Sequence, residues 1–84
     1  MNETCEIIRD FILDKYLPGE SPANLRNDTP LRTSGILDSL ATLALVSFIE
    51  DRFGITVEAH ETDVDNFDRI EDIVAFIERK RAAA

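Results

Sequence analysis

Residues 39–53, Ser-Leu-Ala-Thr-Leu-Ala-Leu-Val-Ser-Phe-Ile-Glu-Asp-Arg-Phe, are apolar on nearly every side of a helix, and in a chain of 84 residues no other feature limits the fold so strongly. An amphipathic helix needs one neighbour, whereas a helix apolar nearly all round needs neighbours on several flanks. Placing successive residues about 100° apart sets Thr42, Leu45, Val46, Ile49 and Phe53 on one face, which must be the core side. Leu40, Leu43, Ala44 and Phe48 then lie on the other sides. For Phe48 a buried and an exposed place are both open. Leu40 and Leu43 are hard to bury in so small a bundle, and an exposed apolar patch marks a docking site.

The neighbours this helix needs can be found on either side of it. From Glu3 to Leu17 the apolar residues Ile8, Phe11, Ile12 and Tyr16 recur at helical spacing, and Pro18-Gly19 ends the segment. Near the other end Ile70, Ile73, Val74 and Ile77 share a face, with Asp68 and Glu71 at the spacing of a capping pair and Arg79, Lys80 and Arg81 suited to a negative C-terminal end. Residues 61–67 are long enough for only a turn or two of helix, and Ile55-Thr56-Val57 reads as extended. No alternating pattern of useful strand length is present. The expected fold is therefore all-α, a small four-helix bundle with helices near 3–17, 39–53, 61–67 and 68–81 in one domain.

Between the first two helices, residues 20–38 are rich in Ser, Pro, Asn, Asp, Thr and Gly, with Leu25, Leu31, Ile36 and Leu37 as the anchors to a core. A connection of this length is unusual in so small a domain, and such loops are often functional. It ends at Gly35-Ile36-Leu37-Asp38-Ser39-Leu40, where Ser39 is read as the N-cap of the second helix and Gly54 as the residue that stops it.

Charge and composition exclude several functions. Nine basic against seventeen acidic side chains give a formal charge of −8, which repels a phosphate backbone and favours proteins with basic docking patches. Cys5 is the only cysteine, so no intrachain disulfide forms, and it reads as a small apolar helix residue. Neither a signal-peptide pattern nor an apolar run of membrane-spanning length is present, which makes a cytoplasmic, non-membrane location the expectation. His60 is the only histidine and has no acid-base or nucleophile partner nearby in the sequence, so a catalytic centre is not expected. Asp63, Asp65 and Asp68 have superficially the spacing of a calcium loop, but its glycine falls at Asp68 and its bidentate glutamate at Val74, so no metal site is expected.

The segment around Ser39 resembles the Asp-Ser-Leu signature of acyl carrier and peptidyl carrier proteins. Phe53-Gly54-Ile55-Thr56-Val57 is similar to that family's segment after the second helix, and Asn66-Phe67-Asp68-Arg69-Ile70 to its approach to the last helix. The resemblance implies a 4'-phosphopantetheine arm, moved by a phosphopantetheinyl transferase from coenzyme A onto Ser39, whose terminal thiol carries a thioester. It gives Asp38 a part in the transfer, such as holding magnesium against the donor's phosphates, and makes Asp38, Leu40, Leu43, Ala44 and Ser47 the transfer and docking residues. Carriers of the fatty-acid type usually show carboxylates soon after the serine. Ala41 and Ala44 stand at those positions here, with Glu50 and Asp51 only further along. The expectation is a monomeric carrier that catalyses nothing itself, loaded with an amino acid or small carboxylic acid by a separate adenylating ligase and read by downstream acyl-processing enzymes. Alternatives are an acyl carrier of fatty acid or polyketide synthesis, and a helical interaction module that is no carrier.

Overall fold

The computed structural model describes residues 3–83, apart from the side chains of Pro22, Val64, Asp65 and Ala83. The sequence expectation for Asp65 thus lies outside the described residues. Helix α1 (Glu3–Tyr16) starts with Glu3 and Glu6 and ends with Lys15, an order that suits the helix dipole. It buries Cys5, Ile8, Ile12 and Leu13, while Phe11 and Tyr16 from the expected face are only half-buried. The true core face is thus turned slightly from the predicted one.

Helix α2 (Ser39–Phe53) buries Ala41, Thr42, Leu45, Val46 and Ile49. Among the described residues Thr42 is the buried polar side chain, satisfied because its Oγ1 donates to the Asp38 carbonyl at 2.8 Å. Gly54 closes the helix at φ 66°, its N–H reaching the Glu50 carbonyl at 3.0 Å. An L-residue with a side chain is strained in that left-handed conformation. The chain then runs through Ile55, buried, and Val57, half-buried, whose N–H donates to Glu50 Oε2 at 2.8 Å.

The minor part of the fold differs in detail from the expectation. Residues 61–67 give a one-turn helix, α3 (Val64–Phe67), preceded by a 3-10 turn at Ala59–Glu61. Helix α4 (Ile70–Ala83) starts two residues later than expected. Ile73 N–H bonds the Arg69 carbonyl, so the helical ladder begins at Arg69, and Asp68 turns away to serve the long loop. The Asp68–Glu71 capping pair is therefore corrected. Helix α4 packs on α1, α2 and α3, and buries Phe76 beside the expected Ile70, Ile73, Val74 and Ile77. Phe76 lies against Phe67, ring centroids 5.4 Å apart.

The long connection is pinned by Leu25, Leu31 and Leu37, spaced six residues apart and all buried, with Ile36 half-buried. Its backbone is satisfied from two helices. Arg9 on α1 donates to the Leu25 carbonyl at 2.9 Å and to Asn27 Oδ1, while the Asn27 carbonyl accepts Glu71 N–H at the start of α4. The Cα radius of gyration of 11.8 Å matches the roughly 12 Å of a compact domain this long, so the loop lies on the bundle.

Candidate functional site at the start of α2

The loop hands the chain to α2 through a defined sequence of bonds. Gly35, at φ 87°, ends a turn in which its N–H donates to the Arg32 carbonyl at 3.1 Å. Leu37 N–H then bonds the Leu31 carbonyl at 2.8 Å, and both leucines are buried. Asp38 comes next in extended conformation, φ −85° and ψ −173°, and its Oδ1 accepts Ala41 N–H at 2.8 Å. Its carbonyl accepts Thr42 N–H at 2.9 Å, the first bond of the helix.

Asp38, not Ser39, is the N-cap. The expectation fails by one residue because aspartate and serine cap equally well, and only the backbone decides which of two adjacent candidates is extended. Ser39 is consequently the first residue inside the helix, with its side chain exposed. It stands where the helix dipole is positive and where the first N–H groups have no intrahelical acceptor. This environment fits a phosphodiester on the Ser39 oxygen, which would gain from the same dipole.

Beyond Ser39, Leu40, Leu43, Ala44 and Ser47 form one exposed stripe at spacings of three and four residues. Leu40 is 78% and Leu43 58% exposed, the two large apolar side chains left in water among the described residues. Phe48 leaves the stripe: it stacks on Phe11 with ring centroids 4.3 Å apart and is half-buried. The two positions expected to lack surface carboxylates separate in the structure. Ala44 is exposed, but Ala41 is 6% exposed and belongs to the core, facing the α1 flank where the Tyr16 hydroxyl approaches its carbonyl at 3.5 Å. A carboxylate at 41 would have to be buried, so Ala41 says little about surface charge. Of the two acids further along, Glu50 is engaged with Val57 N–H, and Asp51 is exposed.

The most connected carboxylate near the site is Asp68. Its Oδ1 accepts Arg32 N–H and Thr33 N–H, each at 3.0 Å, and the Thr33 hydroxyl at 3.3 Å. The Thr33 N–H chiefly, against some desolvation and with help from Arg32, holds its carboxyl below the ordinary 3.8. Glu61 is likewise lowered, by the Glu58 N–H first and then by Lys80, whose Nζ lies at 2.9 Å. His60 sits exposed in the 3-10 turn. Sequence reasoning missed the bonds of Asp68 to the turn 31–33 because these partners lie 35 and 36 residues away.

The head of α2 thus offers an exposed serine beside an exposed apolar stripe. The family model for the phosphopantetheine attachment site matches residues 17–77, and the chain belongs to that family. Its cofactor is a covalently attached 4'-phosphopantetheine. The chain is also similar to the probable acyl carrier protein PigG of Serratia sp. (strain ATCC 39006), with 31% identity over 73 residues, 87% of this chain and 83% of that protein. No helix of the described residues is long and apolar enough to cross a membrane.

Proposed function

We propose that Ser39 carries the phosphopantetheine arm and that the chain, acting as one monomeric carrier domain without catalytic activity of its own, presents an acyl or aminoacyl thioester to partner enzymes in the cytoplasm. The observation that supports this reading most directly is the exposed Ser39 at the first position of α2, one residue before the exposed stripe Leu40, Leu43, Ala44 and Ser47. In the transfer the Ser39 hydroxyl oxygen forms the new P–O bond to coenzyme A's phosphate. The bond to the departing nucleotide bisphosphate breaks, and the hydroxyl proton goes to a base of the transferase. Asp38 Oδ1 is taken up by the cap, so Asp38 would help hold a magnesium ion through its other oxygen, and the ion would neutralise charge on the donor's phosphates. Bound, the arm supplies a thiol on a long tether, which raises the effective concentration of the thioester at each partner.

Partners are a phosphopantetheinyl transferase, an adenylating ligase for an amino acid or small carboxylic acid, and downstream acyl-processing enzymes of a specialised pathway. The apolar stripe supports the ligase, because rim charges mainly set association rate and exclude wrong partners, and none stands among Leu40, Leu43, Ala44 and Ser47. With Ala41 buried, this argument rests on Ala44 and its exposed neighbours alone. The Serratia relative is named a probable acyl carrier protein, which accords equally with a second reading, an acyl carrier of fatty acid or polyketide synthesis.

Intact-protein mass spectrometry after incubation with coenzyme A and a broad-specificity transferase tests the first claim: one phosphopantetheine is added to the wild type and none to folded Ser39→Ala. An alanine variant that still gains the arm refutes the assignment. Loading of the holo-protein by candidate adenylating ligases, set against a malonyl transacylase, tests the second. Fast malonylation with no ligase able to charge the thiol returns the chain to fatty acid or polyketide synthesis.

A further inference from the structure

The Asp38-Ser39 step is held from a distance. Leu37, the residue before it, bonds the Leu31 carbonyl, and Leu31 N–H in turn bonds the Asp68 carbonyl. The Asp68 side chain gathers the next two N–H groups, of Arg32 and Thr33, on one oxygen. The Arg32 guanidinium then reaches the Thr62 carbonyl at 2.8 Å, on the segment leading to α3. One residue thus supplies three backbone bonds to the turn 31–33, through its main chain and its side chain. Asp38, by contrast, fixes only the helix start on its C-terminal side, through Ala41 and Thr42. Without the Asp68 side chain, the main-chain bond to Leu31 and the burial of Leu31 and Leu37 remain, but Arg32 N–H and Thr33 N–H lose their acceptor, and non-directional burial does not restore the path of the turn that leads to Ser39.

We infer that Asp68 is a positioning residue for phosphopantetheine transfer: by tying the turn 31–33 to the approach of α4, it holds the segment 31–38 in the conformation that presents Ser39 to the transferase. This rests on the reading of Ser39 as the attachment residue. The effect falls on recognition rather than on chemistry, because Asp68 contacts the turn and not Ser39. If removing the tie leaves the presenting conformation about one-tenth populated, apparent affinity falls by the reciprocal of that fraction, about tenfold.

The test is steady-state transfer of phosphopantetheine from coenzyme A to the apo-protein by a broad-specificity transferase, with carrier concentration varied, for wild type, Asp68→Ala and Asp68→Asn. Helical circular dichroism first establishes that each variant is folded at the assay temperature. The expected result for Asp68→Ala is a KM for the carrier about tenfold higher with kcat within twofold, and faster amide exchange confined to residues 31–37. Asp68→Asn keeps an oxygen that both N–H groups can reach, and restores KM to within about twofold of wild type. If Asp68→Ala does not fold, Asp68→Ser, whose oxygen falls one atom short of the turn, must raise KM in the same way. An unchanged KM in a folded Asp68→Ala or Asp68→Ser variant overturns the inference, as does an asparagine variant as poor as alanine. Ser39→Ala runs in parallel. A wild type modified elsewhere overturns the Ser39 assignment, whereas modification at Ser39 with no response at Asp68 overturns only this inference.

Discussion

Asp38 occupies two places at once, as the cap of α2 and as the acid beside the proposed attachment serine, and substitution separates them. Asp38→Ala removes the acceptor of Ala41 N–H while the Asp38 carbonyl keeps Thr42 N–H and the Thr42 hydroxyl. One cap bond is lost, and Ala41 is in the core, so water replaces the aspartate oxygen poorly. The cost is about 1–2 kcal/mol, in the upper part of the range for capping residues. For a domain of this size each kcal/mol lowers Tm by roughly 4–8 °C, so a drop on the order of 10 °C is expected in thermal unfolding. Asp38→Asn keeps a capping oxygen of nearly equal quality and loses only the charge at the helix N-terminus, about 0.3–1 kcal/mol. Its Tm therefore stays well above that of the alanine variant. Transfer of phosphopantetheine to both, read by intact mass at a temperature where both are folded, then isolates the charge: both are slow if the carboxylate assists the transferase. An alanine variant that melts with the wild type refutes the cap, and an asparagine variant modified at the wild-type rate refutes the chemical role.

Leu43→Ala and Leu45→Ala form a second pair. Leu43 is 58% exposed and Leu45 is fully buried, so urea unfolding should show a loss below about 1 kcal/mol for the first and about 2–5 kcal/mol for the second. Leu43→Ala should instead slow loading of the arm by its partner enzyme, and a core-sized stability loss there removes it from the docking stripe. Acid unfolding tests Asp68 and Glu61. Both carboxyls are lowered in the folded protein, so their contributions are complete above the ordinary values of 3.8 and 4.5 and are lost as pH falls through the lower folded values. Stability measured by denaturant titration should be flat from about pH 7 to pH 5 and fall below about pH 4, with Asp68→Asn flattening the acid limb; an unchanged limb in that variant shows that Asp68 does not contribute.

The legibility of each feature in the sequence depends on the range of the interactions behind it. Thr42, Leu45, Val46 and Ile49 were readable as the core face because helical geometry alone places them, and Leu25, Leu31 and Leu37 because apolar residues in a polar loop have few other uses. Ala41 was misjudged, although its angle on the same helix, beside Phe48 on the α1 flank, was available. Alanine carries too little apolar surface to announce burial. The cap was misplaced by one residue because Asp38 and Ser39 are chemically equivalent for that task. Asp68 was readable only as a local capping acid. Apart from the Thr33 hydroxyl, its real partners are the backbone N–H groups of Arg32 and Thr33, and a backbone N–H leaves no mark in the residue types of the loop.

The bond from Asp68 back to the turn at Arg32 and Thr33 also orders events in time. The hydrogen bonds within α1 and α2 are local in sequence, but the tie closes a loop of more than thirty residues and waits until the approach to α4 has been made and docked. During synthesis the Asp38-Ser39 dipeptide emerges well before Asp68. On the proposals that Ser39 bears the arm and that Asp68 shapes the approach to it, a transferase that reads the shaped segment passes over nascent and partly folded chains, and attachment of the arm marks a finished fold.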